Sequence, residues 1–317
     1  MSDPTHDRLL ALVDAARRAP SVLNTQPWRF RVDDGHVDLY ADRDRQLRAL
    51  DPDGRELTIS CGAALATLRI AARHDGLDAV VEPFPDPSDP DHLARVAFRD
   101  APAPPGDDRL YRAIGTRRTD RRAFAPDPLT LDVRAALAGA AADEGAWLRI
   151  LTDAGDKEAV AELVESGVRA QGERADVQAE IRAWLRPDGD PRPDGVRDGD
   201  QGEWDRHAAL RTPTEAVARH KAALVREAPA VLVLGTDRDD REAWLRAGLA
   251  LGRALIVAAD RGLAASYANE PVEAGGALRQ RLAALVGGVP QVLFRLGRPA
   301  DAGGTARRPL GDVVARP

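Results

Sequence analysis

Apolar residues recur at helical spacing through HDRLLALVDAARRA (6–19), then give way to strict alternation in WRFRVDD from Trp28. The first pattern predicts an amphipathic helix and the second a half-buried strand. The same order returns later, where TLDVRAALAGAAADEG leads to Trp147 and WLRILTD. HVDLYAD, DAVVEPFP and LARVAFR read as further strands before residue 101, and APAVLVLGT and PQVLFRLG as strands after it.

Two segments are apolar nearly all round at helical spacing. Residues 62–79 (GAALATLRIAARHDGLDA) align without gaps on 248–265 (GLALGRALIVAADRGLAA), with eight of 18 positions identical, among them Gly62/Gly248 and Gly76/Gly262. Each reads as a buried, small-residue helix closed by a glycine at its C-terminus. With matching helix–Trp–strand units upstream, the chain reads as two related halves, 1–104 and 105–317, joined at the Pro-rich APAPPGDD. The fold class expected is α+β: two fused half-repeats, each a mixed or antiparallel sheet packed by helices, as if a homodimer had been joined.

One stretch has no counterpart in the first half. From about 171 to 213 the second half carries an insertion whose Pro, Gly and Asp density argues against regular structure between roughly 187 and 202, after a helical QAEIRAWL. Trp184 and Trp204 bracket the loop. It reads either as a lid docking on something flat or as a solvated loop anchored by two tryptophans.

Composition narrows the function. Of 317 residues, 44% are hydrophobic and 30% charged, ordinary for a globular protein, and the net charge of −6 argues against nucleic acid or an anionic membrane as partner. No apolar run approaches the ~20 residues that span a bilayer, and the charged N-terminal segment lacks a signal-peptide core, so the cytoplasm is expected. Cys61, the single cysteine, lies in apolar TISCGAAL and reads as a buried, inert thiol. The six histidines, His207 and His220 among them, show no paired ligand spacing, so no metal site is expected.

Two polar clusters carry chemistry. In Ala19-Pro20-Ser21-Val22-Leu23-Asn24-Thr25-Gln26-Pro27-Trp28, a helix stopped by Pro20 gives a loop with Ser21, Asn24 and Gln26. It reads as a binding loop for a polar ring edge or sugar chain, or as a self-capped turn. Arg117-Arg118-Thr119-Asp120-Arg121-Arg122 sets four arginines in six positions, reading as a phosphate site or a solvated charged turn. Arg307-Arg308, after a Gly-rich stretch, could close over the same anion.

These segments resemble FMN-dependent nitroreductases. Pro20 to Trp28 is similar to the flavin loop written P-S-x-x-N-x-Q-P-W, the arginine cluster to the R-R-S-x-R phosphate and ribityl motif, and Arg307 to a C-terminal arginine beside the phosphate. NTQPWRF, DPDGRELTISCGAAL, RRTDRRAF and ANEPVE resemble the actinobacterial Acg-like branch of fused pseudo-dimers. The resemblance covers nearly the whole chain and implies a nitroreductase-like fold with FMN as cofactor and NAD(P)H as reductant. It implies cofactor-binding roles for Pro20, Ser21, Asn24, Gln26, Arg117, Arg118, Thr119, Arg121, Glu273 and Arg307, and no separate catalytic acid–base pair. Thr305 stands where many relatives have a basic residue, which would leave the phosphate to Arg117 and Arg307. Pro271-Val272-Glu273-Ala274 resembles a P-x-E-G loop near flavin N5, with Ala274 for Gly.

The resemblance further implies one composite site per chain, since the first half has the loop and the second the arginines, while ADEGA replaces the loop before Trp147. The expected activity is reduction of nitro or quinone acceptors, the partners being FMN and a small-molecule acceptor, with the chain a monomer or weak homodimer. The alternative is storage or sequestration of FMN beneath a closed lid.

Overall fold

Asp34-Gly35, with Gly35 at φ 77°, turns β1 (Trp28–Asp33) back on β2 (His36–Ala41), Asp33 facing His36 in register. The helix before this hairpin is α1 (His6–Ala16). After it come α2 (Arg55–His74), β3 (Leu77–Pro83), β4 (His92–Asp100), α3 (Asp107–Thr116), α4 (Leu131–Ala142) and β5 (Trp147–Leu151). Then follow α5 (Ala154–Gly172), α6 (Ala175–Ala183), the short strands β6 (Leu185–Arg186) and β7 (Val196–Arg197), and α7 (Glu215–Glu227). The chain continues through β8 (Ala230–Thr236), α8 (Arg241–Asp260), β9 (Ala264–Tyr267), α9 (Glu270–Glu273), α10 (Gly276–Val286), β10 (Val289–Gly297) and α11 (Leu310–Val313). This computed structural model describes residues 5–102, 107–187, 189–197, 215–299 and 305–315.

The two sheets repeat one topology. The first runs β1-β2-β4-β3 and the second β5-β8-β10-β9, all antiparallel. In each, the long small-residue helix follows the second strand: α2 after β2, α8 after β8. Their C-terminal glycines, Gly76 and Gly262, sit at φ 74° and 71°, the left-handed conformation that closes a helix without a Cβ clash.

α2 and α8 pack against each other through the middle of the molecule. A Cβ on Gly252 would stand 2.8 Å from Ala63 O, so the backbones approach as closely as small residues permit. Nearly all of α2 from Arg55 to Leu68 is buried. Cys61 is fully buried here, its thiol 3.2 Å from Pro27 O, and burial pushes its pKa up. That matches the inert thiol expected.

The extra chain in the second half is longer than composition signals. Everything between β5 and β8, residues 152–229, replaces what is a two-residue turn in the first half. α5 and α7 lay Val160, Val164, Val217 and Val225 over Val231 and Val233 of β8. The outer face of the second sheet is therefore covered, and every residue of β8 is buried, whereas β1 alternates. Regular structure also persists where the Pro-Gly-Asp density argued against it: Val196–Arg197 pairs in parallel with Leu185–Arg186. Trp204, His207 and the rest of 198–214 lie outside the described residues.

Candidate functional site

The loop after α1 is held in a conformation that side chains rarely adopt. Leu23, Asn24 and Gln26 have φ of 44°, 53° and 51°, a strain that persists only where surrounding contacts impose it. Ser21 Oγ accepts from Gln26 N at 2.9 Å, and Ser60 Oγ of α2 accepts from Val22 N at 3.3 Å. From further along the chain, Arg307 Nη1 donates to Asn24 Oδ1 at 3.2 Å and Arg308 N to Gln26 Oε1 at 2.8 Å. Beyond them, Ala315 N donates to Phe30 O at 2.6 Å, stitching the C-terminal segment to the edge of the first sheet.

The arginine turn is anchored to the second sheet, within its own half. Thr119 forms a parallel bridge with Ala265 of β9, and Asp120 N donates to Ala265 O at 2.9 Å. Asp120 takes Arg122 into a chelate, Nε at 2.9 Å and Nη2 at 2.7 Å. Arg295 of β10 donates to the carbonyls of Arg121 and Arg122. These contacts fix the turn and commit Arg122 to Asp120. The Nε atoms of Arg117 and Arg118 are buried without a partner among the described residues.

Between loop and turn lies a cavity of about 260 Å3. Pro20, Ser21 and Asn24 enter its wall from the first half, and Thr119, Arg121, Glu273 and Arg307 from the second. Thr305 is also in the wall. Three expected residues are not. Gln26 is fully buried behind the loop, its Nε2 donating to Pro193 O at 3.0 Å. Arg117 and Arg118 stand outside the lining. Arg117 Nη2 donates to Arg18 O at 3.4 Å; burial lowers its pKa, and the charge of Tyr267 acts the other way. Burial pushes Tyr267 up to about 12, opposed by Arg117, with Glu56 raising it and Arg121 and Arg307 again opposing.

Two carboxylates also stand in the cavity wall: Glu273, which the sequence reading named, and Glu56, which it missed. Glu56 of α2 accepts from Arg55 and from Asn269 Nδ2, each at 2.5 Å. Burial raises it to about 7, against Arg55 and aided by Asp51. Burial raises Glu273 to about 8, with Glu56 and Glu270 adding to the rise; Gln171 Nε2 donates to it at 2.6 Å. Glu56, the lone acidic residue of α2 and next to the small, apolar run that follows, was the available signal.

The insertion closes over the loop. Asn24 Nδ2 donates to Gly195 O at 3.1 Å, and Glu180 accepts from Ala49 N and Leu50 N at 3.1 and 2.9 Å. Asp194 pairs with Arg45 at 3.0 Å and Arg186 at 2.8 Å. Trp184 stacks with those same arginines, 5.8 and 5.4 Å from its ring. Ile181, Leu185 and Val196 thereby become cavity wall.

The pseudo-symmetric position is filled. Arg246, the residue matching Ser60 in the repeat, lies where a Cβ on Gly145 would be 3.0 Å from its Cδ. Glu144 bridges Arg69 at 2.5 Å and Arg253 at 3.3 Å. Side chains and ion pairs occupy the place that the polar loop occupies on the other side.

No family model matches the sequence. A Mycobacterium tuberculosis protein provisionally named NAD(P)H nitroreductase Rv3131 is 36% identical over 99% of this chain and 93% of its own length. The chain belongs to the Acg-like nitroreductase family. The M. tuberculosis protein Acg, also provisionally named an NAD(P)H nitroreductase, is 34% identical over 98% of this chain and 96% of its own. Among solved structures, a nitroreductase with bound FMN from Desulfitobacterium hafniense is similar at 13% identity and a TM-score of 0.44, covering 66% of this chain and 97% of that one. Among the described residues, no helix of this nitroreductase-family chain is long and apolar enough to cross a membrane.

Proposed function

We propose that the cavity holds FMN and that the protein is an FMN-dependent oxidoreductase taking electrons from NAD(P)H to nitro or quinone acceptors. The observation that carries this reading is the meeting of the Asn24 loop with Thr119, Arg121 and Arg307 around one cavity, in a chain whose relatives are named for nitroreductase activity. The donor set fits the group. Arginine forks and a threonine hydroxyl suit a phosphate, and the buried, partnerless Nε of half-buried Arg117 suits an anion nearby. Asn24, Ser21 and Pro20 would hold the sugar chain and ring edge from the other half.

When bound, the flavin supplies hydride transfer; the protein supplies position, electrostatics and exclusion of water. Arg121 and Arg307, in the cavity wall, would hold the anionic end of the cofactor, and the charge of Arg117 would add to theirs. Glu56 and Glu273 in the cavity wall, raised to about 7 and about 8, hold protons there near neutral pH. We assign the two halves as 1–104 and 105–317 and read the chain as a cytoplasmic monomer or weak homodimer.

A second reading, retention of FMN without turnover, is favoured by the clasp of the insertion on the loop. About 260 Å3 is small beside the roughly 300–1,000 Å3 of ligand pockets, leaving little room for a nicotinamide beside a flavin. Adding NADPH to the purified yellow protein separates the two readings. Bleaching within seconds supports turnover, and a colour stable for hours supports retention.

A further inference from the structure

Asn24 and Gln26 each hold two distant segments with the two ends of one side-chain amide. Asn24 Nδ2 donates to Gly195 O at 3.1 Å, and its Oδ1 accepts from Arg307 Nη1 at 3.2 Å. Gln26 Nε2 donates to Pro193 O at 3.0 Å, and its Oε1 accepts from Arg308 N at 2.8 Å. The orientation is forced, because the carbonyls of 193 and 195 can only accept while the guanidinium and the backbone N–H can only donate. Nitrogen ends therefore face the insertion tip, 193–195, and oxygen ends the C-terminal strap, 305–308; Asn24 Nδ2 also reaches Ala306 O at 3.3 Å. Both residues are buried and stand at positive φ. An amide that loses one segment is left with a buried unpaired group, and the loop loses a contact that sustains its strained backbone. The strap carries Thr305 and Arg307 into the cavity wall.

We propose that Asn24 and Gln26 are positioning residues that make the seating of the insertion tip and of the arginine-bearing strap one event, so that the place of Arg307 in the cavity wall depends on closure of the insertion. Each segment is seated by further contacts of its own. On the tip, Gly195 N donates to Asn24 O at 3.3 Å and Val196 N to Trp184 O at 2.9 Å. On the strap, Arg308 Nη1 donates to Gln26 O at 3.1 Å and Nη2 to Asp312 O at 2.5 Å. The two amides carry the loss of either segment to the other. The proposal rests on the FMN reading for what Arg307 holds, but not for the coupling.

The test is amide hydrogen exchange of the purified full-length protein, read by mass spectrometry on peptides covering 193–197 and 305–309. Gly195→Ala should unseat the tip alone, since Gly195 has φ 76° and its added Cβ would stand 2.4 Å from Trp184 O. The strap peptide should then exchange about fivefold faster or more, with 230–236 in β8 unchanged as a report on the fold. Arg308→Ala, which loosens the strap, should speed the tip in turn, because coupling is reciprocal. The double variant Asn24→Asp, Gln26→Glu keeps the oxygens that face Arg307 and Arg308 and drops the donors to Gly195 and Pro193. In that background Gly195→Ala should change the strap's rate by less than about twofold. A strap unmoved when the tip is released overturns the coupling, and transmission that persists in the double variant overturns the amide route. A tip that stays protected in Gly195→Ala contradicts the seating itself. If Gly195→Ala unfolds β8, the Arg308→Ala arm decides. A colourless protein with coupled exchange overturns only the FMN reading, and a yellow one with independent segments overturns only the coupling.

Discussion

Gly62 of α2 and Gly248 of α8 meet back to back: a Cβ on either would stand 2.7–2.8 Å from the other's Cα. They are also the first aligned pair of the internal repeat, so the pseudo-twofold axis passes beside them. The geometry explains why these helices are so poor in large side chains. Both Gly62→Ala and Gly248→Ala should destabilise the fold by about 1–3 kcal/mol, because the added methyl meets backbone that cannot yield. Denaturant midpoints of the two variants measure this; unchanged midpoints would mean that the helices do not pack as described.

The arginines should divide by what they touch. Arg121 and Arg307 line the cavity, whereas Arg122 is chelated to Asp120. Replacing either of the first two by Ala should weaken FMN binding about tenfold or more. Arg122→Ala should weaken it much less. Equilibrium dialysis of FMN against the three variants gives the comparison.

Opening the clasp should speed exchange. Glu180 holds two backbone amides of the 49–50 turn, and Asp194 holds Arg45 and Arg186. The double variant Glu180→Ala, Asp194→Ala should release FMN about tenfold faster, since loss of contacts acts mainly on dissociation. Bleaching by NADPH should also be faster than in the parent. Fluorescence recovery on dilution and stopped-flow absorbance report the two rates.

Glu273 links stability to pH. Its folded pKa is raised from 4.5 to about 8 by burial, then by Glu56 and Glu270. Between those values the native state binds more protons than the unfolded chain, so this residue's contribution is complete below about pH 4.5 and is lost as pH rises through about 8. The slope approaches about 1.4 kcal/mol per pH unit at most. Melting temperatures across this range should fall with pH in the parent and more shallowly in Glu273→Gln.

Much of this was legible in the sequence because it is local. The alternation in WRFRVDD, the all-round apolar pattern of 62–79 and 248–265, and the Pro20 and Gly punctuation each follow from one element's own burial. Asn24, Thr119, Arg121 and Arg307 could be named because polar residues cluster there along the chain. What the sequence hid is non-local. Gln26 reads as a ligand contact, yet serves as a post for Pro193 and Arg308, residues more than 160 positions away. Glu56, Tyr267 and Glu270 carry no cluster of their own and become site residues only when α2, β9 and α9 converge. The reach of the insertion, 152–229, was hidden because its helices are ordinary amphipathic ones; only its Pro-rich middle stands out in composition.

The absorption spectrum of the purified protein, taken together with acid-released flavin per chain, bears most directly on the meeting of loop and arginine turn around one cofactor. A flavin spectrum with one FMN per chain, lost in Arg307→Ala, is the expected result. A colourless protein that takes up no FMN on incubation would contradict the account.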